Sequence, residues 1–513
     1  MSVNGDRYDS RLIVASNRLP VTLNRQPNDE WEALPASGGL VHALKYVLQE
    51  RGGKWFGWSG VAENDGVEEA LAAASDGLAY DMRPVPLNAE QVENYYFGFS
   101  NEVLWPLFHD MVSRCQFKLE YWQSYDAVNQ LFARQIAAET SAHDFVWVQD
   151  YHLIRVALHL QRMGKQRRTG YFLHIPFPPV DIFLKLPWRF QILEALLAFD
   201  TIGFQTVRDV QNFVSCVREL LTGVTVHSLD DIYVATADGH RTKIGNFPIG
   251  IDFREFDRRA SFEAVSAEVA LLHEQLHERQ LILGIDRLDY TKGIPERLHA
   301  YRNALRRYPK LKVRTSLIQV VVPSREIVSG YRSMKEEVER LVSEINGEFT
   351  LPGWVPVHYL FRSLSMTELV AYYRASEISL VTPLKDGMNL ISKEYVAANV
   401  DLNGTLILSE FAGSAAQLSE YAILVNPHDV VGTADAIFRA FEMNEGERNL
   451  RMQAMRDIVS ETDVFWWTNA FLAVATRDVT TVTPAQHYFV PRKDLGEDAP
   501  SSDILLASET PAH

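Results

Sequence analysis

Two acids, a cation and a glycine lie close together in the segment LVTPLKDGMNLISKEY, residues 380–395. Its first residues predict a strand and the residues after Gly387 predict a helix, so Lys385 and Asp386 lie on the turn between them. Glu394 follows Asp386 by eight residues, about two helical turns. The turn acid can therefore accept hydrogen bonds from sugar hydroxyls, and Glu394 from ribose hydroxyls. The structural alternative is that Asp386 caps the helix and Glu394 lies on a solvated face.

A candidate site for a diphosphate lies in the segment LILGIDRLDYTKGIPERL, residues 281–298. A predicted strand ends near Arg287, a short loop holds Lys292, and a helix begins near Gly293. Cations at this position bind anions through charge-assisted hydrogen bonds, and the helix dipole adds to the attraction. The segment VVVPSREI repeats the arrangement, with Arg325 at the start of a helix. The structural alternative is a pair of solvated loop cations.

The first half of the chain carries a weaker signal for anion binding. Arg18 follows the first predicted strand in SNRLPV, and Gly38 and Gly39 begin a predicted helix in ASGGLVHAL. Two glycines at a helix start let backbone N–H groups approach an anion closely. We therefore predict that this region binds a negatively charged group, although a solvated loop arginine is the structural alternative.

Polar and aromatic residues that suit a sugar also follow strands of the first half. Asp150 ends the strand in WVQDYHL, and His174 ends the strand in GYFLHIPFPPV, where the prolines fix the loop. Asp150 could simply cap the next helix, and His174 could be a satisfied core group. In the aromatic segment 95–109, Tyr96 and Trp105 are candidates for cleft walls that stack on a sugar.

The elements that must position these residues alternate as short apolar strands and longer helical patterns, which indicates parallel sheets with crossover helices. The predicted strands of the first half are 11–16, 145–149, 169–174 and 200–204. Those of the second half are 281–285, 317–322, 357–360, 378–381, 405–409 and 422–425. We therefore predict an α/β protein with two Rossmann-like, doubly wound domains that face each other across a cleft. Ligands bind at the carboxyl ends of such sheets.

A segment rich in Gly and Pro, residues 245–259, predicts the linker between the domains. The N-terminal domain is predicted over residues 1–250 and the C-terminal domain over 251–480. The helical stretch 464–476 is expected to return to the first domain. Residues 481–513 are polar and rich in Pro and Ser, and we predict a disordered tail.

Composition and missing motifs exclude several classes of function. The chain has 513 residues, a formal net charge of −16 and two cysteines, which disfavours nucleic acid as a partner and a disulfide scaffold. Neither a G-x-G-x-x-G after a first strand nor a P-loop occurs, which argues against a dehydrogenase and a P-loop NTPase. Zinc-ligand spacing, a long apolar span and a secretory signal are also missing from the sequence. We therefore expect no metal, no membrane partner and a cytoplasmic location.

Eight motifs occur in order between residue 16 and about residue 397: SNRLPV, SGGL, YYFGFSNEVLWP, WVQDYHL, LHIPFPP, GIDRLDYTKG, VPSRE and TPLKDGMNLISKEYVA. Together they resemble the trehalose-6-phosphate synthase family of retaining glycosyltransferases. The resemblance implies the GT-B fold, with two facing Rossmann-like domains. It also implies that the N-terminal domain binds the acceptor glucose 6-phosphate and the C-terminal domain binds the donor UDP-glucose. The products would be α,α-trehalose 6-phosphate, for trehalose biosynthesis, and UDP.

The resemblance implies a role for each residue that matches a family motif. The acceptor set is Arg18, Trp58, Tyr96, Trp105, Asp150 and Arg325. The donor set is Gly38, Gly39, His174, Arg287, Lys292, Leu364, Asp386, Gly387, Met388, Asn389, Leu390, Ile391, Ser392, Lys393 and Glu394. The catalytic set is Asp150, His174, Arg287, Lys292 and Asp386. The mechanism implied is front-face attack, with two cations in place of a divalent metal and without a cofactor.

The sequence departs from the family pattern at two places. Lys385 stands where many relatives have Arg, and the loop HYLFRSLSM around Leu364 is less typical. One alternative function is a glucosylglycerol-phosphate synthase-like enzyme that uses another acceptor, or ADP- or GDP-glucose. A more remote alternative is a catalytically silent sugar-phosphate sensor. The sequence does not specify which nucleotide is preferred, whether an effector regulates the protein, or whether it forms a homo-oligomer.

Overall fold

The computed structural model describes residues 11–26, 30–35, 39–62, 66–277, 279–323, 329–477, 479–482 and 489. The strands are β1 Leu12–Arg18, β2 Val21–Arg25, β3 Trp31–Pro35, β4 Gly53–Trp58, β5 Tyr80–Pro84, β6 Phe145–Gln149, β7 Arg168–Phe172, β8 Thr201–Phe204, β9 Val224–Leu229, β10 Ile232–Ala237, β11 His240–Asn246, β12 Gln280–Arg287, β13 Thr315–Val322, β14 Val357–Phe361, β15 Ile378–Val381, β16 Thr405–Ser409 and β17 Ile423–Val425.

The α-helices are α1 Gly39–Arg51, α2 Val67–Ser75, α3 Ala89–Gln91, α4 Trp105–Phe108, α5 Leu119–Glu139, α6 Val156–Arg162, α7 Val180–Phe183, α8 Arg189–Leu196, α9 Val207–Leu220, α10 Phe253–Ala260, α11 Glu263–Gln275, α12 Ile294–Arg307, α13 Ser329–Phe349, α14 Met366–Ala375, α15 Leu390–Ala398, α16 Ala415–Leu418, α17 Val430–Glu442, α18 Glu445–Glu461 and α19 Val464–Thr476. A π-helix covers Val92–Leu104, and short 3₁₀ turns cover Val112–Arg114, Tyr151–Leu153, Tyr290–Lys292 and Pro309–Leu311.

The strands form two large sheets, one from each half of the chain. The first has the order β5-β4-β1-β6-β7-β8-β11-β10-β9, and the second has the order β14-β13-β12-β15-β16-β17. All pairs of the second sheet are parallel, whereas the first sheet ends in the antiparallel strands β10 and β9. The predicted α/β architecture of two doubly wound units is therefore confirmed.

Among its parallel strands, each sheet has a point at which the chain reverses its direction of strand addition. In the first sheet this point lies between β1 and β6, and in the second it lies between β12 and β15. Ligands of doubly wound proteins bind beyond the carboxyl ends of the strands at such points. Arg18 and Arg287 are the last residues of β1 and β12, Asp150 directly follows β6, and Asp386 lies on the turn that leads from β15 to α15.

The parallel strands form because their apolar residues can be buried on both faces. In β12, Ile282 packs with one apolar cluster, whereas Leu281 and Leu283 pack with the cluster on the opposite face. This two-sided burial explains the unbroken apolar run in the sequence.

Helix α19 of the last part of the chain packs on the first sheet, not on the second. Trp467 and Phe471 are fully buried there, and the ring of Phe471 stacks on Trp147 at 4.7 Å between centroids. A Cβ atom added at Gly170 or Gly203 would lie 3.0 Å from the Phe471 ring, so the strands leave room for it. The last described helix therefore completes the core of the first half.

The domain boundaries at residues 250 and 480 remain a prediction. The expected disordered tail, 481–513, lies outside the described residues except for positions 481, 482 and 489. A search of the described helices finds none whose length and apolarity would let it cross a bilayer.

Candidate active site

The turn acid and the loop lysine of the second half form an ion pair at the reversal point of the second sheet. Lys292 Nζ lies 2.5 Å from Asp386 Oδ2, and the two side chains are only 11% and 10% exposed. Burial by itself raises the pKa of Asp386, but the charge and the hydrogen bond of Lys292 outweigh it and hold the pKa below its usual value. Asp386 is therefore a carboxylate at neutral pH.

The backbone of the turn fixes the orientation of the Asp386 carboxylate. It accepts weak hydrogen bonds from Met388 N and Asn389 Nδ2, each at 3.3 Å. Asn389 has a φ of 62° and caps α15 by accepting from Ser392 N. A short amide side chain tolerates this left-handed conformation better than most. The N-terminus of α15 is thereby directed at the region beside the Lys292–Asp386 pair.

Arg287 and Glu394 lie on the two elements that flank this pair. Arg287 is the last residue of β12 and is exposed, and no carboxylate within the described ranges forms an ion pair with it. Glu394 on α15 is partly buried, and Tyr373 donates a hydrogen bond to its Oε2 at 2.8 Å. Burial raises the pKa of Glu394, and the Tyr373 hydrogen bond opposes this only in part.

An arginine held on aromatic rings lies at the reversal point of the first sheet. The guanidinium carbon of Arg18 lies 4.5 Å from the Trp58 ring centroid and 5.7 Å from that of Tyr96. Tyr96 in turn stacks on His152, with centroids 6.0 Å apart and an angle of 16° between the rings. Cation–π contacts orient the guanidinium and leave its N–H groups at the edge, where an anion can bind.

Asp150 lies beside this group in a strained backbone conformation. Its φ is 71° with ψ at 169°, a region that non-glycine residues rarely adopt. Its Oδ1 accepts from His174 N at 3.3 Å. This strained acid links the ends of β6 and β7.

The imidazole of His174 is buried and satisfied on both sides. Its Nε2 lies 2.9 Å from Gln149 Oε1, and its Nδ1 lies 3.3 Å from Gln205 Nε2. Burial lowers the pKa of His174 to about 3, so the ring is neutral. Its side chain is occupied by these two amides, whereas its backbone carbonyl faces the opposite half.

The two halves meet where the His174 loop touches the Asp386 turn. A Cβ atom added at Gly387 would lie 2.5 Å from His174 O and 2.8 Å from the carbonyl carbon of Ile175. Lys385 also crosses the gap, with its Nζ 2.5 Å from Asp110 Oδ2. Asp150 and His174 are therefore brought to the same place as Asp386 and Lys292.

The remaining predicted site residues are Trp105, Leu364, Gly38, Gly39 and Arg325. Trp105 is 6% exposed and packs in the core of the first half, where its ring centroid lies 4.3 Å from that of His109 and 5.7 Å from that of Tyr151. Leu364 packs partly against the core of the second half, before α14. Gly39 begins α1, whereas Gly38 and Arg325 lie outside the described residues.

The predicted donor residues around Asn389 are contiguous on the turn and helix, but their side chains differ in use. Ser392 donates its hydroxyl to Asn389 O, and Leu390 and Ile391 pack partly on the core. The amine of Lys393 is 2.7 Å from Ile249 O and 2.6 Å from Gln417 Oε1. Its side chain is therefore committed to the chain crossing between the halves.

A cavity of about 410 Å³ lies against the Asp386 turn. It is lined from both halves, by Asp110 and Arg208 of the first and by Lys385 and Gly387 of the second among others. Neither Arg18 nor Arg287 lines it. Asp386, the partner of Lys292, does line it, so the cavity adjoins the ion pair at the turn.

Some neighbours of the site escaped sequence reasoning. Gln149 ends β6 and Gln205 directly follows β8, and these positions at the carboxyl edge were the available signal for them. His109 is buried next to the Asp386 turn, and burial lowers its pKa to about 4. Asp110, the partner of Lys385, is 275 positions away and had no local signal.

Comparisons with known proteins give the chain a family. The model of glycosyltransferase family 20 matches residues 10–477. The trehalose-6-phosphate synthase of Mycolicibacterium smegmatis is 43% identical over 470 residues, which cover 90% of this chain and 92% of that protein. The corresponding protein of Mycobacterium leprae is 42% identical and is covered to 94%.

Solved structures agree with the sequence relatives. A trehalose-6-phosphate synthase structure from E. coli, bound with UDP-2-fluoro glucose, has a TM-score of 0.82 at 35% identity and covers 92% of this chain and 100% of its own. The Burkholderia xenovorans α,α-trehalose-phosphate synthase (UDP-forming), in complex with glucose-6-phosphate, has a TM-score of 0.81 at 33% identity and covers 91% of this chain and 100% of its own. The resemblance drawn from the motifs is confirmed, and the chain belongs to glycosyltransferase family 20.

Proposed function

We propose that the protein transfers glucose from UDP-glucose to glucose 6-phosphate with retention, giving α,α-trehalose 6-phosphate and UDP. The observation that supports this best is the contact of the backbone of His174 and Ile175 with Gly387 of the Asp386 turn. His174 is in turn hydrogen-bonded to Asp150. This contact joins the reversal points of both sheets, so a sugar phosphate held in one half can meet a nucleotide-sugar held in the other. The relatives carry the name of this activity, and two of the solved structures hold matching ligands.

The donor is bound by the second half in this proposal. Arg287 and Lys292 neutralise the diphosphate, and the N-terminus of α15 directs its amides at it. Asp386 takes the hexose hydroxyls and Glu394 the ribose hydroxyls. The Met388 and Asn389 contacts hold the Asp386 carboxylate in place before the sugar arrives.

The acceptor is bound by the first half. Arg18 on the Trp58 and Tyr96 rings takes the phosphate, together with Arg325 from the region outside the described residues. Asp150 orients the acceptor sugar. The neutral His174 positions the loop that faces the donor hexose.

The reaction proceeds by attack of the acceptor hydroxyl on the same face from which the diphosphate departs. The bond from the anomeric carbon to the phosphate oxygen breaks, the bond to the acceptor oxygen forms, and the leaving phosphate takes the hydroxyl proton. Asp386 is engaged by Lys292, which leaves it to position hydroxyls and not to act as a nucleophile. The protein therefore contributes orientation and charge stabilisation.

The experiment that tests the proposal measures nucleotide release from UDP-, ADP- and GDP-glucose with glucose 6-phosphate or glycerol 3-phosphate. We expect UDP-glucose with glucose 6-phosphate to turn over, and NMR of the product to show an α,α-linkage. Faster turnover with glycerol 3-phosphate would support the alternative acceptor. Binding of both sugars without turnover would support the sensor.

Turnover is expected to survive a chelator, because Arg287 and Lys292 supply the positive charge that a divalent metal would bring to the diphosphate. The measurement is the rate of UDP release with millimolar EDTA and after added Mg²⁺. We expect the two rates to agree within about twofold. The two cations can take the place of a metal because each charge-assisted hydrogen bond contributes about 1.5–3 kcal/mol. A rate that falls with EDTA and returns with Mg²⁺ would contradict a metal-free mechanism.

Arg18→Gln is expected to raise the KM for glucose 6-phosphate by about 10- to 100-fold, which corresponds to one lost charge-assisted hydrogen bond. The KM for UDP-glucose should change much less. Arg25→Gln is a matched control, because Arg25 also lies over a tryptophan, with its guanidinium carbon 5.6 Å from the Trp31 ring centroid. Equal effects of the two substitutions on the acceptor KM would remove Arg18 from the acceptor site.

Small-molecule substrates are the partners that this proposal requires. A homo-oligomer and a cytoplasmic location remain predictions. Light scattering of the purified chain and fractionation of the source cells test them.

A further inference from the structure

The chain crosses between the halves twice, and the two crossings touch. The first runs from β11 to α10 and the second from α18 to α19. Val464 N donates to Ile251 O at 3.0 Å. A Cβ atom added at Gly250 would lie 2.2 Å from Thr462 O and 2.6 Å from Asp463 Cα, so a side chain at this position would separate the crossings.

One residue of the first crossing, Ile249, is held from both halves. Its N–H donates to Gln205 Oε1 at 2.9 Å, and its carbonyl accepts from Lys393 Nζ at 2.7 Å. Gln205 follows β8 of the first sheet, whereas Lys393 lies on α15 of the second half. Both side chains are at least 97% buried, with 3% and 2% exposure.

These hydrogen bonds continue towards the site in the first half. Because Gln205 Oε1 accepts from Ile249, its Nε2 donates to His174 Nδ1, and His174 Nε2–H then donates to Gln149 Oε1. Gln149 directly precedes Asp150, so the sequence of bonds ends beside the strained acid.

They continue in the second half as well. The Lys393 amine also donates to Gln417 Oε1, and Gln417 Nε2 donates to Thr462 Oγ1 at 2.9 Å in the second crossing. Lys393 directly precedes Glu394. One set of buried and partly buried hydrogen bonds therefore reaches from the neighbour of Asp150 to the neighbour of Glu394 and includes both crossings.

Burying the amine of Lys393 costs desolvation free energy, so a function for this lysine should be sought. Its two hydrogen-bond partners are neutral oxygens, and burial lowers the pKa of Lys393 to about 7. A methionine of similar length would fill the same space without desolvating an amine. The structural alternative is a satisfied core lysine that contributes to folding and to nothing else.

We propose that Lys393 and Gln205 are positioning residues that grip the Ile249 peptide from opposite halves and so hold the donor and acceptor groups in register across the cleft. This inference rests on the proposed glucosyl transfer. It concerns the placement of the two substrates relative to each other, and neither residue is required to touch a substrate with its side chain.

The test is Lys393→Met, which keeps the length of the side chain and removes the donor. Transfer to glucose 6-phosphate should lose kcat by about 10- to 100-fold, because a misplacement of about 1 Å can cost 10²-fold. The Kd of UDP, which needs only the second half, should change by less than about threefold. Hydrolysis of UDP-glucose without acceptor should rise relative to transfer.

Lys243→Met is the matched control, because Lys243 Nζ also donates to backbone carbonyls, those of Val474 and Arg477, away from the Ile249 peptide. Gln205→Leu tests the grip from the other half and serves if Lys393→Met does not fold. The double variant should lose little more kcat than either single variant, since both break one unit.

Hydrogen exchange gives a readout that does not depend on turnover. Peptides covering 247–251 and 462–464 should exchange faster in Lys393→Met than in Lys243→Met. The inference is overturned if Lys393→Met keeps kcat within about threefold of the parent, or if kcat, UDP affinity and thermal midpoint all fall together as for a core defect. Absence of transfer by the parent chain would instead reject the proposed function, and unchanged exchange at both crossings would then reject the grip as well.

Discussion

Arg287→Ala is expected to lower kcat/KM for UDP-glucose by about 100- to 1,000-fold, the loss found when one donor to a developing negative charge is removed. Arg287 is exposed at the end of β12, and no carboxylate in the described part of the chain pairs with it. Its charge is therefore available to the departing diphosphate. The measurement is the initial rate of UDP release as donor concentration varies.

The same substitution should leave the fold intact, because exposed residues without buried partners change stability by about 0.5 kcal/mol or less. We expect the thermal midpoint to move by less than about 2 °C. Arg258→Ala is the control for loss of an exposed arginine outside the cleft; its salt bridge with Glu255 lies on the surface of α10. A loss of less than about tenfold in kcat/KM, or a large fall in the thermal midpoint, would contradict the role given to Arg287.

Trp467→Ala is expected to destabilise the first half by about 3–5 kcal/mol, the usual cost of removing a buried tryptophan. The Trp467 ring lies 5.0 Å from both Trp147 and Phe172 between centroids, and 6.0 Å from His174. The neighbouring side chains could not move into the cavity left by the substitution, because they are themselves held in close packing against the sheet. Thermal and urea unfolding measure the effect.

The control on the same helix is Asn469→Ala. Asn469 is exposed and accepts one hydrogen bond from Arg51 at 3.1 Å, so its loss should cost less than about 1 kcal/mol. Because the two halves need not unfold together, the transition of the first half should be followed by its own tryptophans. If both variants unfold at the midpoint of the parent, α19 does not stabilise the first sheet.

The strands of the second half were predictable because they are covered on both faces. All six predicted strands correspond to β12–β17, since parallel strands between two helical layers appear as unbroken apolar runs. In the first half, β4 was not predicted, because Gly53, Lys54 and Gly57 interrupt its apolar residues. The edge strand β9 was missed for another reason: most of its residues are solvated, and only Val224 and Val226 turn an apolar side chain towards the core.

The candidate site was predictable wherever a residue follows a strand at the reversal points, as Arg18, Asp150 and Arg287 do. The local sequence shows that a residue lies at the end of a strand, but it does not show which distant residue forms an ion pair or hydrogen bond with it. Sequence could not pair Lys292 with Asp386, because the two are 94 positions apart and meet only through the sheet order. The sequence also could not show that the Lys393 amine donates a hydrogen bond to Ile249 O, because a cation within a donor-binding motif suggested a contact with the ligand.

Helix α19 also affects how the protein is made. During translation the residues of the first sheet leave the ribosome long before residues 464–476 are synthesised. Until then, Trp147 and Phe172 lack the packing that α19 provides. The nascent chain therefore carries an apolar face through most of its synthesis, and such faces are where aggregation begins and where chaperones bind. A premature stop before Val464 would leave a product that cannot bury this face, even though every strand of both sheets had been synthesised.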